Sequence, residues 1–202
     1  RHGMTTAEIA LMLRKEKGLE LDLQVVALRG WKRAMWFEET GLYWVSPSPK
    51  MRNMHEALLY PGFGLLEFTN LSVGRGTDTP FERIGAPWLD GRALAHRLMD
   101  REIPGVVFQP LLFQPKSSKF AGRICNGVAI VVTDRARFRP LRTGIEIAVL
   151  LRQLHPEDWK ADRYQRLLAD AATFEAVLAK KDPGQIEESW SAELESFLAR
   201  RK

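Results

Sequence analysis

Apolar residues recur along the chain with periods that change at glycines and prolines. Thr5-Thr6-Ala7-Glu8 sets a hydroxyl three residues ahead of a carboxylate, the arrangement that closes a helix N-terminus from both directions. Ile9, Leu11, Met12 and Leu13 then supply an apolar face until Gly18, so a helix is predicted there. From Leu21 to Leu28, alternation at Leu21, Leu23, Val25 and Ala27 gains Val26 and Leu28, which predicts a strand with one face fully covered. Helix followed by strand is half of an α/β repeat, and the pair reads as the last unit of a parallel sheet. Ser46-Pro47-Ser48-Pro49 imposes extended geometry, and the domain boundary is placed there, dividing the chain into 1–45 and 46–202.

The second part predicts a mixed α/β domain. Asn53 to Tyr60 is a short helix closed by Pro61-Gly62, and Asp90 caps a helix over 91–101 with Leu94, Ala95 and Leu98 on one face. Val106, Phe108, Pro110 and Leu112 form an edge strand, since proline cannot donate to a ladder, and Val128, Ile130 and Val132 a central one. Residues 144–154, 163–180 and 188–200 predict three more helices, the last with Trp190, Leu194, Phe197 and Leu198 turned inward.

Between these elements, Glu67 to Asp90 collects carboxylates, hydroxyls, an amide, a tryptophan and one arginine between two glycines. No period runs through residues 70–80, which predicts a loop whose polar side chains are free to converge on a ligand. Gly74 and Gly76 allow the backbone around Arg75 to reach positive φ, and a guanidinium held that way suits a carboxylate or phosphate. The alternative is a surface loop whose arginine pairs with Asp78 or Glu82. Trp31, Trp36, Tyr43 and Trp44 carry a similar choice between stacking on sugar faces and packing at a domain interface.

Composition narrows the chemistry. Thirty Lys and Arg against 25 Asp and Glu give a net charge of +5, but the basic residues are scattered, so nucleic acid is not expected as a partner. No apolar run reaches the roughly 18 residues of a membrane span. Cys125 is the single cysteine, which excludes an internal disulfide. His2, His55, His96 and His155 have no metal-ligand spacing, and Gly62-Phe63-Gly64 lacks the third glycine of a dinucleotide loop, so neither metal nor cofactor is expected. Asn70-Leu71-Ser72-Val73-Gly74 has Asn where a hydrolase elbow needs its first glycine, which sets Ser72 aside as a nucleophile. The chain opens on Arg1 with sequence of mid-chain character, and a fragment or processed product is expected.

In order, Arg1-His2-Gly3-Met4-Thr5, Gly30-Trp31-Lys32-Arg33, Pro47-Ser48-Pro49, Tyr60-Pro61-Gly62, Glu67, Thr69-Asn70, Gly74-Arg75-Gly76-Thr77, Pro80-Phe81-Glu82 and Gly85-Ala86-Pro87-Trp88 resemble the exo-β-N-acetylmuramidases of the NamZ type. Lys50, Arg52-Asn53, Phe68 and Val73 stand where that family has Asn, Pro-Thr, Gly and Glu. The resemblance implies a Rossmann-like N-terminal domain, of which 1–45 would be the end, and a smaller C-terminal α/β domain. It implies a glycosidase that removes terminal N-acetylmuramic acid from peptidoglycan fragments, extracellular or periplasmic, with an upstream half supplying a further acid and with sugars or muropeptides as ligands. Glu67 would be catalytic, or would instead orient Arg75. His2, Ser48, Asn70, Arg75 and Thr77 would bind substrate, Arg75 through the lactyl carboxylate of muramic acid. The competing reading is a non-catalytic module that binds cell-wall carbohydrate.

Overall fold

A computed structural model describes residues 3–201, which divide into two compact units: 3–43 with 189–201, and Trp44–Glu188. In the smaller unit, α1 (Thr6–Glu16) carries the capping box read from the sequence: Glu8 N–H donates to Thr5 Oγ1 at 3.2 Å, and Thr5 N–H to Glu8 Oε2 at 2.7 Å. Arg33 pairs with the same Glu8. The final helix, named α8 in chain order (Ser191–Arg201), groups with this unit, its Arg200 pairing with Glu16.

The strand predicted over residues 21–28 is not formed. A parallel strand takes its hydrogen bonds from strands beside it, and the three strands of the described residues pair only with one another. Val26 is consequently 96% exposed, with Leu28 and Leu21 also open. The aromatic segment after it is uneven: Trp36 and Trp44 are half-buried, whereas Tyr43 is 94% exposed. Leu194 is exposed and no residue of α8 is buried, so the inward face predicted for that helix is not packed away.

The larger unit is mixed α/β. Asn53 caps α2 (Met54–Phe63) by accepting from Glu56 N–H at 2.9 Å. The helix does not close at Pro61-Gly62 as expected, but runs through both into a 3-10 turn over Gly64–Phe68. Gly62 marks a close approach: a Cβ there would lie 1.9 Å from Pro140 O of α4 (Pro140–Leu154), and Gly144 of α4 faces it in return. The two glycines let the helices touch backbone to backbone, and α4 buries a continuous stretch from Thr143 to Leu151.

Strands β1 (Arg83–Ala86), β2 (Val106–Phe113) and β3 (Cys125–Val132) form an antiparallel sheet in the order β1-β3-β2. The expected edge and central strands are β2 and β3. β1 was not predicted, because four residues including a glycine carry too little alternation to register. Helix α3 (Gly91–Met99), capped by Asp90 from Oδ1, packs Leu94, Ala95 and Leu98 on β2 and β3. The helix predicted over 163–180 is two, α5 (Gln165–Leu168) and α6 (Ala171–Leu178), broken where Ala169 takes a left-handed φ of 56° and Asp170 starts a new cap. A short α7 (Pro183–Glu188) completes the unit.

Candidate functional site

The loop after the 3-10 turn is irregular from residue 69 to 82, as the missing period predicts, apart from one bridge in which Ser72 and Gly85 exchange N–H to O bonds of 2.8 and 2.9 Å. Both glycines around Arg75 have the positive φ expected of them, +78° at Gly74 and +85° at Gly76. At Gly76 a Cβ would sit 1.9 Å from Ser117 O, and Lys116 N–H donates to Gly76 O at 2.8 Å. The loop is therefore laid directly against the backbone of residues 116–119, a contact only glycine permits.

Arg75 pairs with neither Asp78 nor Glu82. Its Nη2 donates to Glu67 Oε2 at 3.1 Å, and Nε lies in ion-pair contact with Oε1 without forming a hydrogen bond, so one edge of the guanidinium faces both carboxylate oxygens. Nη1, at the other edge, has no hydrogen-bond or ion-pair partner among the described residues. The guanidinium carbon lies 5.2 Å from the ring centroid of Phe81. Phe81 is buried, meets Tyr60 edge-on at 5.0 Å and holds a φ of 67°, unusual for so large a residue. Such outliers persist where surrounding contacts over-determine them, and here the Phe81 N–H to Val73 O bond of 2.8 Å and the ring packing do so.

Lys119, which sequence reasoning missed, fixes the same turn. Its ammonium donates to the carbonyls of Glu67 and Leu71, each at 3.0 Å, and to that of Thr69. Burial pushes its pKa below the ordinary lysine value, and the Glu67 charge pulls part of that back. Glu67, Leu71, Ser72, Val73, Arg75, Ser118 and Lys119 line a cavity of about 100 Å³. The only sequence signal for Lys119 was a lysine among serines in the run Pro115 to Phe120, too common a pattern to single out.

Asn70 has both ends of its amide engaged: Nδ2 donates to Asp158 O at 2.8 Å and Oδ1 accepts from Lys160 N–H at 2.7 Å, docking the 158–160 segment on the site turn. Thr77 turns inward on its own loop, donating from Oγ1 to Gly74 O at 2.7 Å. Ser48 is exposed in a separate turn, where its Oγ accepts from Lys50 N–H at 3.4 Å. His2 lies outside the described residues. Glu67 and Arg75 are thus brought together, Asn70 and Thr77 brace the loop that holds them, and Ser48 lines no wall of this cavity.

The family model described as exo-β-N-acetylmuramidase NamZ, C-terminal, matches residues 58–202, and its N-terminal counterpart matches residues 1–55. The chain belongs to the NamZ family. A curated relative, the peptidoglycan β-N-acetylmuramidase NamZ of Bacillus subtilis strain 168, is 42% identical over 160 residues, covering 79% of this chain and 39% of that protein. The chain therefore spans well under half the length of that NamZ. Two crystal structures of DUF1343 family proteins from Bacteroides fragilis share the fold. The one at 1.65 Å resolution has a TM-score of 0.75 at 27% identity and covers 96% of this chain and 54% of its own. The other, at 1.30 Å, has a TM-score of 0.76 at 24% identity, covers 99% and 54%, and supports the fold alone. Hydrolase, glycosidase, peptidoglycan and cell wall are terms of the family, as the descriptions of its model and of the Bacillus relative give them. No helix of the described residues is long and apolar enough to cross a membrane.

Proposed function

We propose that this chain is the C-terminal part of a glycoside hydrolase that releases terminal N-acetylmuramic acid from peptidoglycan fragments in cell-wall turnover, outside the cytoplasm. In this reading residues 1–45 complete a Rossmann-like domain whose remainder supplies a further catalytic acid, and the apolar side chains of residues 21–28 are covered by neighbouring strands. The observation that carries the reading is the side-on Glu67–Arg75 pair beside a small polar cavity. A guanidinium locked along one edge presents the other in a fixed direction, and the planar fork matches a carboxylate such as the lactyl group that separates muramic acid from N-acetylglucosamine. Glu67 acts first by aiming Arg75. It enters proton transfer only if substrate displaces one of its oxygens from the pair.

The test uses a protein carrying both NamZ domains. Arg75→Ala should cost about 2 to 4 kcal/mol of transition-state stabilisation on a muramic acid substrate and little on the N-acetylglucosamine analogue, with Arg75→Lys recovering part. Equal losses on both sugars would remove the carboxylate assignment. Glu67→Gln should lower turnover at least ~100-fold if Glu67 transfers a proton, and only a few-fold if it orients Arg75. A binding role without turnover is the second reading, favoured by the engagement of both Glu67 oxygens; it predicts sugar binding that depends on Arg75 and no release of muramic acid.

A further inference from the structure

One residue beyond Glu67, the 3-10 turn ends on Phe68, which is 39% exposed. Two guanidiniums lie over that ring, Arg163 at 5.8 Å and Arg166 at 5.1 Å from the centroid. Both arginines are exposed, and neither has an ion-pair partner among the described residues; Asp162, on the same segment, pairs with neither. Two like charges beside one aromatic ring repel each other, only weakly where water and salt screen them, and an anion bridging both turns that repulsion into attraction. Their mounting is rigid. Tyr164, between them, is fully buried and edge-on to the buried Trp159 at 5.8 Å, and Asn70 hydrogen-bonds both Asp158 and Lys160, fixing this segment to the Glu67 turn.

We propose that Phe68, Arg163 and Arg166 form a second carboxylate subsite, which holds a muramic acid further along the same glycan than the sugar at Arg75. The inference rests on the reading of the Arg75 cavity given above. Guanidiniums held over an aromatic ring by cation–π attraction keep N–H groups free for a carboxylate. The placement selects the ligand: an anion-binding patch one residue from Glu67, on an anchored segment, suits a chain that bears carboxylates at regular intervals, and a glycan alternating N-acetylglucosamine with N-acetylmuramic acid is such a chain. Engaging both sites at once makes the second contact intramolecular, so the subsite should appear as a preference for longer fragments.

The test is calorimetric binding of the muramyl disaccharide (MurNAc-GlcNAc), the corresponding tetrasaccharide and chitotetraose to a protein carrying both NamZ domains, at a temperature low enough that no muramic acid is released during the titration. The tetrasaccharide is expected to bind at least ~10-fold more tightly than the disaccharide, and chitotetraose weakly. Arg163→Gln with Arg166→Gln should abolish that difference and leave disaccharide affinity unchanged, while the double lysine variant restores part of it. A tetrasaccharide no tighter than the disaccharide, or an advantage that survives the double variant, overturns the subsite. In either case a disaccharide affinity lost in Arg75→Ala leaves the Arg75 reading standing. Tetrasaccharide binding that needs Arg163 and Arg166 but not Arg75 upholds the subsite and sinks the Arg75 reading, and no binding of any muramyl sugar overturns both. A glycerol-phosphate oligomer bound as tightly as the tetrasaccharide and lost in the same double variant would overturn the glycan assignment in favour of a phosphate polymer.

Discussion

Replacing Lys119 with methionine removes the ammonium and keeps most of the apolar stem, so it isolates the three bonds to the carbonyls of Glu67, Thr69 and Leu71. Hydrogen bonds from a charged donor contribute about 1.5 to 3 kcal/mol each, which would suggest up to roughly 9 kcal/mol if they simply added. Two effects reduce that figure. The half-buried ammonium gives up hydration in the fold, as its lowered pKa reflects, and water can reach a side chain that is not fully enclosed. Thr69 and Leu71 are buried, so their carbonyls are the ones most exposed to loss of a partner. A net destabilisation of about 2 to 4 kcal/mol is expected, read as a lowered urea midpoint at unchanged m-value by tryptophan fluorescence. Lys119→Arg should not restore it, because a planar fork cannot converge on three carbonyls as a tetrahedral ammonium does. A loss below about 0.5 kcal/mol, the range of ordinary surface changes, would refute the idea that Lys119 sets the turn. So would an unaltered affinity for N-acetylmuramic acid in a variant that has lost the expected stability.

Gly76→Ala places a Cβ against Ser117 O at a φ of +85°, and thermal unfolding should report a loss of more than about 2 kcal/mol together with loss of sugar binding. Cys125 is buried and its thiol pKa is raised by that burial, so native protein at pH 8 should resist iodoacetamide until urea unfolds it; rapid native labelling would contradict the packing. Glu8 has its pKa held below the usual 4.5, first by the Thr5 backbone N–H and then by Arg33. The folded value is the depressed one, so the capping box contributes fully above pH 4.5 and is lost as pH falls through the folded pKa; the Thr5 amide proton shift, followed by NMR, should titrate with a midpoint below 4.5.

Elements with a complete local signal were legible in the sequence. The Thr5–Glu8 box, the Asp90 cap, the alternation through β3 and Pro110 on the edge strand β2 each need only neighbouring residues to be read. Where a neighbour in space decided the outcome, local reading failed. Gly62 reads as a helix stop but serves the crossing with α4, and residues 21–28 have strand chemistry with no adjacent strand to pair with. The glycine-flanked arginine was legible as a held guanidinium; local spacing offered Asp78 and Glu82 as its holders, and Glu67, eight residues back across an irregular turn, entered as its orienting partner only beside the family resemblance. Lys119 and the 158–160 segment reach the turn from far along the chain, and no spacing rule connects them to it.

Those distant pins have a kinetic consequence. Lys119 bonds carbonyls 48 to 52 positions away, and Asn70 bonds backbone 88 and 90 positions away. Closing loops of that length is entropically slow compared with forming α2 or α4, so the Glu67–Arg75 turn should acquire its shape after those helices; the Lys119 pins close alongside the β1–β3 pairing, which spans 40 to 46 positions, and the Asn70 pins close after it. A chain still lacking residues beyond Asp158 would have its sheet and no ordered site, which confines ligand binding to molecules whose folding is complete.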